Sequence, residues 1–191
     1  MKTAAILSLF AASATAFAPA PSSKATTAVS YSSELDNMIG ATVEVGGKPW
    51  DPLNVSDYIP ADYARKCELA NGRSAMLATV GYVFPKWFGA FEGTVSVDDP
   101  IAAIGQADLQ WWAQFVIFCG TIEAYKYRME LEGKTSTGGE GEPAIDWMRM
   151  YPEDPAERKV MQEKELKNGR LAMLAIGGMI HHNWITGDAL F

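Results

Sequence analysis

The chain contains no uninterrupted run of eighteen apolar residues, so hydropathy alone rates its apolar segments as moderate candidates for membrane crossing. It also has only two cysteines, Cys67 and Cys119, and neither stands in a CxxC or CxxH spacing. We therefore expect two buried free thiols, with a disulfide or a metal site as the weaker alternative.

Sequence signatures of catalysis and of nucleic-acid binding are missing as well. The sequence shows no HExxH, P-loop or GxGxxG motif and no nucleophile–base set. Its 191 residues carry a net charge of −7, and no lysine–arginine stripe is interleaved with aromatics. These absences indicate a protein that is not an enzyme and does not bind nucleic acid.

The N-terminal segment has the composition of targeting sequences. Lys2 precedes an apolar run, and Ala14-Thr15-Ala16 fits the small-residue rule for cleavage, so residues 1–16 are predicted to be a signal peptide. Residues 17–33 contain seven Ser or Thr and no acid, which is typical of a transit peptide. This arrangement resembles the two-part address of plastids bounded by extra membranes, and ordinary secretion with a flexible leader is the alternative.

Residues 34–191 are predicted to form one all-α domain with three long helices. A segment of 20 helical residues measures roughly 30 Å, the thickness of a bilayer core, so three transmembrane helices are the favoured interpretation and a soluble helical bundle is the alternative. The first predicted helix begins near Pro60 and ends near Phe84, before Pro85. The second runs from about Ile101 to Tyr127, and the third from about Pro155 to Trp184.

The basic residues are distributed as the positive-inside rule requires of a membrane protein. The link between the first two helices, residues 89–100, contains acids but neither Lys nor Arg. The segments expected on the opposite side carry Arg65, Lys66, Arg128, Lys134, Arg149, Arg158 and Lys159.

An eleven-residue segment occurs twice, as "ELANGRSAMLA" at 68–78 and "ELKNGRLAMLA" at 165–175, with nine positions the same. Glu and Arg are five positions apart in each copy, about 140° around a helix, so they cannot pair within it. No acid stands three or four positions from Arg73 or Arg170. An unpaired arginine at the edge of a bilayer core costs about 2.5–3.5 kcal/mol.

Two copies solve this problem if the first and third helices cross as a pseudo-two-fold pair. Glu68 then meets Arg170 and Glu165 meets Arg73, while small residues beside the charges, Gly72, Ala75, Gly169 and Ala172, bring the backbones close. The alternative is that these charges are solvated helix ends, with Arg65 serving Glu68 locally.

An arginine-neutralised carboxylate keeps oxygen lone pairs, and Mg²⁺ prefers oxygen ligands. Such a pair can fill the open axial position of the magnesium in chlorophyll without adding net charge to the membrane. Asn71 and Asn168, three residues after each Glu, add an amide oxygen, although hydrogen bonding or helix capping is the more ordinary role of a lone Asn.

The repeated E-x-x-N-G-R-x-A-M-L-A pattern resembles the light-harvesting chlorophyll-binding antenna family, as do "WDPL" at 50–53 and "IEAYKYR" at 122–128. The targeting segments point to its fucoxanthin chlorophyll a/c-binding branch. The resemblance implies three transmembrane helices, with the first and third locked by the two interhelical pairs. It also implies chlorophyll a, chlorophyll c, fucoxanthin and related carotenoids as cofactors.

The resemblance further implies a set of pigment ligands. Magnesium ligands are expected at Glu68, Glu165, Asn168 and His182, with Arg170 and Arg73 as counter-ions of the two glutamates. Further cofactor-binding residues are Asn71, where green-plant members have a histidine, and Glu123. The glutamine ligand of the second helix would fall at Phe115, so Gln114 serves only if that helix is locally rewound or its pigment is placed differently.

The function implied is an antenna subunit that passes excitation energy to a photosystem in the plastid thylakoid membrane, beside other antenna subunits. A photoprotective member of the same family is the alternative, with pH-sensing acids sought among Glu92, Asp98, Asp99 and Asp188. A transporter or enzyme using the Glu and Arg residues is the competing class. Trp87, Trp111, Trp112 and Trp184 line pigment grooves or anchor the helices at the interface.

Overall fold

The structure is a computed structural model that describes residues 35, 38–89, 95, 99–137 and 141–187. Its regular structure is helical, with one isolated bridge between Thr135 and Pro143 in the described part. This confirms the all-α prediction for those residues. The α-helices are α1 (Ala61–Phe88), α2 (Pro100–Gln106), α3 (Leu109–Leu131) and α4 (Pro155–Thr186), preceded by two 3₁₀ turns at Val43–Val45 and Val55–Asp57.

Helix α4 begins where its sequence predicts and ends two residues beyond the predicted position. The Asp154 carboxylate accepts a hydrogen bond from the Ala156 amide, and Pro155 occupies the first turn, where a missing N–H costs nothing. Gly187 follows the helix with a φ of 77°, the left-handed conformation common after a C-terminus. The structure extends the predicted end by two residues, from Trp184 to Thr186.

Helix α1 does not stop before Pro85, as the sequence prediction had it, but continues to Phe88. Pro85 lacks the N–H of the helical ladder and crowds the preceding turn, but it lies in the last turn, where the residues after it keep the helical conformation. The amide of Gly89 donates to the carbonyl of Pro85 at 2.8 Å and closes the last turn.

The prediction of one continuous second helix was wrong, because the segment is divided into α2 and α3. Ala107 and Asp108 are extended, with ψ of 135° and 147°, and break the helical hydrogen bonds between the two elements. The indole N–H of Trp112 donates to the carbonyl of Ile104 at 3.3 Å across the break. The Asp99 carboxylate accepts from the amides of Ile101 and Ala102 and caps α2.

The core of the described structure is the contact between α1 and α4. Its buried residues occupy the same register positions of the two repeat copies, each 97 residues apart: Leu69 with Leu166, Gly72 with Gly169, and Ala75 with Ala172. Two glycines and two alanines at the centre allow the backbones to approach closely. The predicted role of these small residues is confirmed.

Helix α3 leaves most of its apolar side chains uncovered. Only Met129 near its C-terminal end is buried, whereas Val116, Ile117 and Phe118 in its middle are about two-thirds exposed. The ion pair between Lys66 and Glu130, at 2.6 Å, joins that C-terminal end to α1. The targeting segments predicted at 1–33, and Glu92, Asp98 and Asp188, lie outside the described residues.

Among the described helices, none combines the length and the apolar character needed to cross a bilayer.

Candidate functional site

Two ion pairs with the same atoms join α1 to α4. Arg73 Nε lies 2.7 Å from Glu165 Oε1, and Arg170 Nε lies 2.7 Å from Glu68 Oε1. The repeat predicted both pairs, and both are confirmed. Because the glutamate of each copy meets the arginine of the other, neither arginine is left without a counter-ion, although its own helix offers none.

Each of these arginines also holds a non-helical segment. Arg73 Nη1 donates to the carbonyl of Ser136, in the loop after α3, at 2.9 Å. Arg170 Nη1 donates at 3.0 Å to the carbonyl of Gly40. Gly40 lies in the segment before α1, residues 38–60, which we call the arm. Each guanidinium therefore fixes two helices and one connecting segment at once, using its planar set of donors.

Glu68 has a second partner in Arg65, three residues before it on α1, with Nη1 to Oε2 at 2.7 Å. The local partner that stood as the alternative is thus present together with the interhelical one. Glu165 accepts from Arg73 alone within the described residues. The side chains of Glu68 and Glu165 are about 28% and 34% exposed, so neither glutamate is fully enclosed by the protein.

The two repeat asparagines have matching hydrogen bonds. Asn71 Nδ2 donates to the carbonyl of Cys67, and Asn168 Nδ2 donates to the carbonyl of Lys164, both at 2.9 Å and four residues back along the helix. Both residues are exposed. The ordinary hydrogen-bonding role is therefore present, and because it uses the amide nitrogen, the oxygen of each side chain is left as a donor for a metal.

His182 lies on the last turns of α4. The Thr186 hydroxyl donates to the carbonyl of His182 at 2.8 Å, so its oxygen can accept from Nδ1, which lies 3.5 Å away. A neutral imidazole with its proton on Nδ1 presents the Nε2 lone pair to a metal. The neighbouring His181 instead contacts Trp184 edge to face, with ring centroids 5.8 Å apart.

The structure does not bring together Glu123 and Gln114, the two pigment-ligand candidates of the predicted second helix, which both lie on α3. Glu123 pairs with Lys126 at 2.9 Å and faces the same cavity as Arg73 and Glu165. Gln114 is exposed on α3, nine residues before Glu123, and does not line that cavity.

The shared cavity has a volume of about 740 Å³, is open on one side and is lined by α1, α3, α4 and the loop before α4. Its wall combines apolar side chains with the Arg73–Glu165 pair and with further polar and charged residues from α3, α4 and the loop. A cavity of this size, lined by both apolar and charged side chains, suits a molecule that has a large apolar body and some polar groups. Lining side chains include Leu77, Ile122, Glu123, Lys126, Ile145, Met161 and Glu165.

Paired aspartate turns before α1 and α4 were missed from the sequence. Asp51 accepts from the amides of residues 55 and 56, and Asp146 accepts from those of residues 150 and 151, all at 2.9–3.1 Å. Asn54 and Arg149, each three residues after the aspartate, both have a φ of 51°. The internal duplication therefore extends upstream of the eleven-residue segment, although only the aspartate is shared there.

The chain matches the family model described as chlorophyll A-B binding protein over residues 31–184. It belongs to this family. Three relatives are 34%, 32% and 30% identical to it. They are the light-harvesting complex stress-related protein 3.2 of Chlamydomonas reinhardtii (66% of this chain, 54% of that protein), a fucoxanthin-chlorophyll a-c binding protein of Isochrysis galbana (71%, 70%) and fucoxanthin-chlorophyll a-c binding protein D of Phaeodactylum tricornutum (95%, 95%).

The chain spans about half the length of the first curated relatives it matches. The family relationship agrees with the resemblance that the repeated segment carries. Because the family model is described as chlorophyll A-B binding protein, the magnesium of chlorophyll is the metal to compare with the ion-paired glutamates.

The residues present fit the magnesium of a chlorophyll better than a free metal ion. No group of three or more His, Cys, Asp or Glu that could hold an ion occurs within the described residues. A metal already held by a macrocycle needs only one axial ligand, and one carboxylate oxygen beside an arginine could supply it. Cys67 and Cys119 are free and half-buried, so the disulfide alternative is wrong.

Proposed function

We propose that this protein is a light-harvesting antenna subunit, which binds chlorophylls and carotenoids and transfers excitation energy to a photosystem. The observation that carries the proposal is the pair of reciprocal Glu–Arg contacts, in which each glutamate is neutralised and still has oxygen lone pairs. A purely structural ion pair has no need of those lone pairs, and apolar packing often stabilises as well.

The ligand set follows from the donor atoms. Glu68, Glu165, Asn168 and His182 are the proposed axial ligands, while Arg170 and Arg73 neutralise the two glutamates and hold them in place. Asn71, Glu123 and Gln114 are proposed as further pigment contacts. The bound chlorophylls supply the absorption and the excited state, and the protein fixes their spacing and orientation.

We place α1, α3 and α4 across a thylakoid membrane, with α1 and α4 related by a pseudo-two-fold axis. They contain 28, 23 and 32 residues, and a bilayer core needs roughly 20. Leu77 and Leu174, at equivalent repeat positions, are both 77% exposed, and such apolar surface requires lipid or pigment to cover it. The charges at the centre are paired, which lowers their cost in a membrane.

The pigments proposed are chlorophyll a, chlorophyll c and fucoxanthin, because relatives across most of the chain are named for fucoxanthin and chlorophyll a-c binding. Other relatives are named chloroplastic, which supports a plastid location. Residues 1–16 and 17–33 are proposed as the signal and transit peptides that lead there, with 34–191 as the antenna domain. A photosystem core and other antenna subunits are the proposed partners.

Photoprotection is the second candidate, because three relatives are named as stress-related light-harvesting proteins. A pH-sensing acid would have to titrate near mildly acidic pH. Asp99 does not suit that role, since the hydrogen bond from the Ala102 amide holds the pKa of its carboxyl below the ordinary value. The excited-state lifetime at neutral and acidic pH tests this candidate, and a lifetime that does not shorten in acid rejects it.

The absorption spectrum of the full chain, purified from membranes in mild detergent, tests the antenna proposal. We expect chlorophyll and carotenoid bands from the wild-type protein. The Glu165→Ala variant should contain at least one chlorophyll fewer. Glu163→Ala is the matched control, because it removes a carboxylate two residues away that has no ion pair in the described structure. A colourless protein with water-accessible glutamates would favour a transporter instead.

A further inference from the structure

The two repeat glutamates differ in the number of arginines that they meet. Glu68 accepts from Arg170 at Oε1 and from Arg65 at Oε2, both at 2.7 Å, so each of its oxygens is engaged by a cation. Glu165 accepts from Arg73 at Oε1, and no donor from the described residues reaches its Oε2. The pseudo-symmetry of the two sites therefore ends at the second carboxylate oxygen.

The cause is one position in the sequence. The residue three before Glu68 is Arg65, and the residue three before Glu165 is Gln162, 97 positions later. Side chains three apart on a helix are neighbours, so Arg65 reaches its glutamate. Gln162 carries no charge, and its amide donates to the hydroxyl of Tyr151.

Arg65 is fixed beside Glu68 by a second contact. Its Nη2 donates to the carbonyl of Ile39 in the arm before α1, and its side chain is only 16% exposed. The Glu68 cluster thus contains one carboxylate and two guanidinium groups, with a net charge of +1, whereas the Glu165 pair is neutral.

We propose that Arg65 makes Glu68 the weaker of the two magnesium ligands, so that a chlorophyll at Glu165 is held more tightly than one at Glu68. Hydrogen bonds from two cations draw electron density from both carboxylate oxygens and leave less to donate to the metal. The excess positive charge beside Glu68 also lowers the electrostatic potential energy of electrons on its oxygens, which makes them poorer donors to magnesium. This inference rests on the proposed chlorophyll ligation and assigns different strengths to its two glutamates.

Reciprocal substitutions test the inference on the purified pigment–protein complex. R65Q places a glutamine three residues before Glu68, as in the Glu165 copy of the repeat. Q162R places an arginine three residues before Glu165, as in the Glu68 copy. The readout is the rate at which chlorophyll is released on mild heating in detergent, followed by absorption. Changes in the surroundings of a metal ligand typically alter affinity by about 10–100-fold, so we expect release rates to change by about tenfold.

The expected results have opposite signs. R65Q slows one release phase, assigned to Glu68, and Q162R accelerates a different and slower phase, assigned to Glu165. R65K is the control that keeps the positive charge, and it keeps the fast phase. Q162R leaves the contact of Arg65 with Ile39 intact, so it tests the inference even if R65Q does not assemble. The circular dichroism of each variant verifies that its helices are retained.

Release rates that neither R65Q nor Q162R changes, in variants that still bind chlorophyll, would overturn the inference and leave the antenna function standing. A protein without chlorophyll, or a Glu165→Ala variant with its full pigment content, would instead count against the ligation itself. The two failures are therefore distinguishable.

Discussion

Gly72 and Gly169 touch across the interface of α1 and α4. A Cβ atom added to Gly72 would lie 3.0 Å from the Cα of Gly169, and one added to Gly169 would lie 3.1 Å from the Cα of Gly72. Contacts of 3.0–3.1 Å are tighter than most Cβ contacts in proteins, so a side chain at either position would require the facing backbone to move. Each glycine immediately precedes the arginine of its repeat, which is why the two arginines can span the interface.

Alanine at either glycine should therefore weaken the helix pair. Overpacking of this kind typically costs about 1–3 kcal/mol, because the backbones have to separate. Gly178→Ala on α4 is the matched control: its Cβ meets open space, and it gains up to about 1 kcal/mol of helix propensity. Thermal unfolding of the purified complex, followed by circular dichroism, measures both. A Gly72→Ala variant as stable as the Gly178→Ala variant would contradict the close contact.

The sequence was sufficient to predict this interface because both copies of the repeat contain an arginine without a partner on its own helix. Arg73 and Arg170 lack an acid within reach on their own helices, and the only arrangement that satisfies both copies pairs each arginine with the other helix. The buried register followed from the small residues beside the charges. Repetition thus supplied a long-range contact that a single motif would not have specified.

The pattern of side chains did not predict the contacts that hold the loops or the interruption of the second helix. The arginine bonds to the carbonyls of Ser136 and Gly40 use backbone atoms that every residue carries. The division between α2 and α3 falls at Ala107 and Asp108, and the prediction did not use the nearby Gly105 and Asp108 as signals of a helix end and a helix start. Periodicity therefore predicted the helical segments but not where they are interrupted or what anchors the loops.

The two aspartate turns escaped notice because the repeat changes length there. Asp51 stands 17 residues before Glu68 and Asp146 stands 19 before Glu165, so the upstream copies are out of register by two. Only three-dimensional structure aligns them, through the same amide contacts and the same left-handed residue.

Arg149 is the costlier of the two left-handed residues. Both it and Asn54 have a φ of 51°, but asparagine tolerates this conformation better than a long side chain does. Arg149→Asn should therefore raise the free energy of unfolding by about 0.5–1 kcal/mol, and Asn54→Arg should lower it by a similar amount. Thermal unfolding of the two variants measures the change. Shifts of the same sign in both would show that backbone conformation is not the cause.

The arm before α1 should remain attached to α4 in mild acid. Glu44 pairs with Lys167 at 2.8 Å, and that hydrogen bond is the main reason that its pKa is lowered from 4.5 to about 2. A lowered pKa means that this contribution is complete above about pH 4.5 and is lost as the pH falls toward about 2. Hydrogen exchange of the amides of residues 45–47, followed from about pH 6 down to about pH 1.5 so that both ends of that range are covered, measures the loss.

Glu44→Gln is the control for this behaviour, since it removes the titrating group and keeps the side-chain shape. We expect its arm to exchange at one pH-independent level of protection, after correction for the intrinsic exchange rate. If the wild-type arm loosens already near pH 5, the Glu44–Lys167 pair is not what fixes it.

His182 and His181 should differ in pigment binding although they are neighbours. The contact with Thr186 leaves Nε2 of His182 free to donate to magnesium, whereas His181 is engaged with Trp184. We expect His182→Leu to lose a chlorophyll and His181→Leu to retain the wild-type content, as measured by pigment extraction per protein. Both substitutions remove an imidazole from the same turn of α4, so a general loss of helix stability would lower both contents equally. That equal loss would reject His182 as the ligand, and a selective loss in His181→Leu would transfer the role to its neighbour.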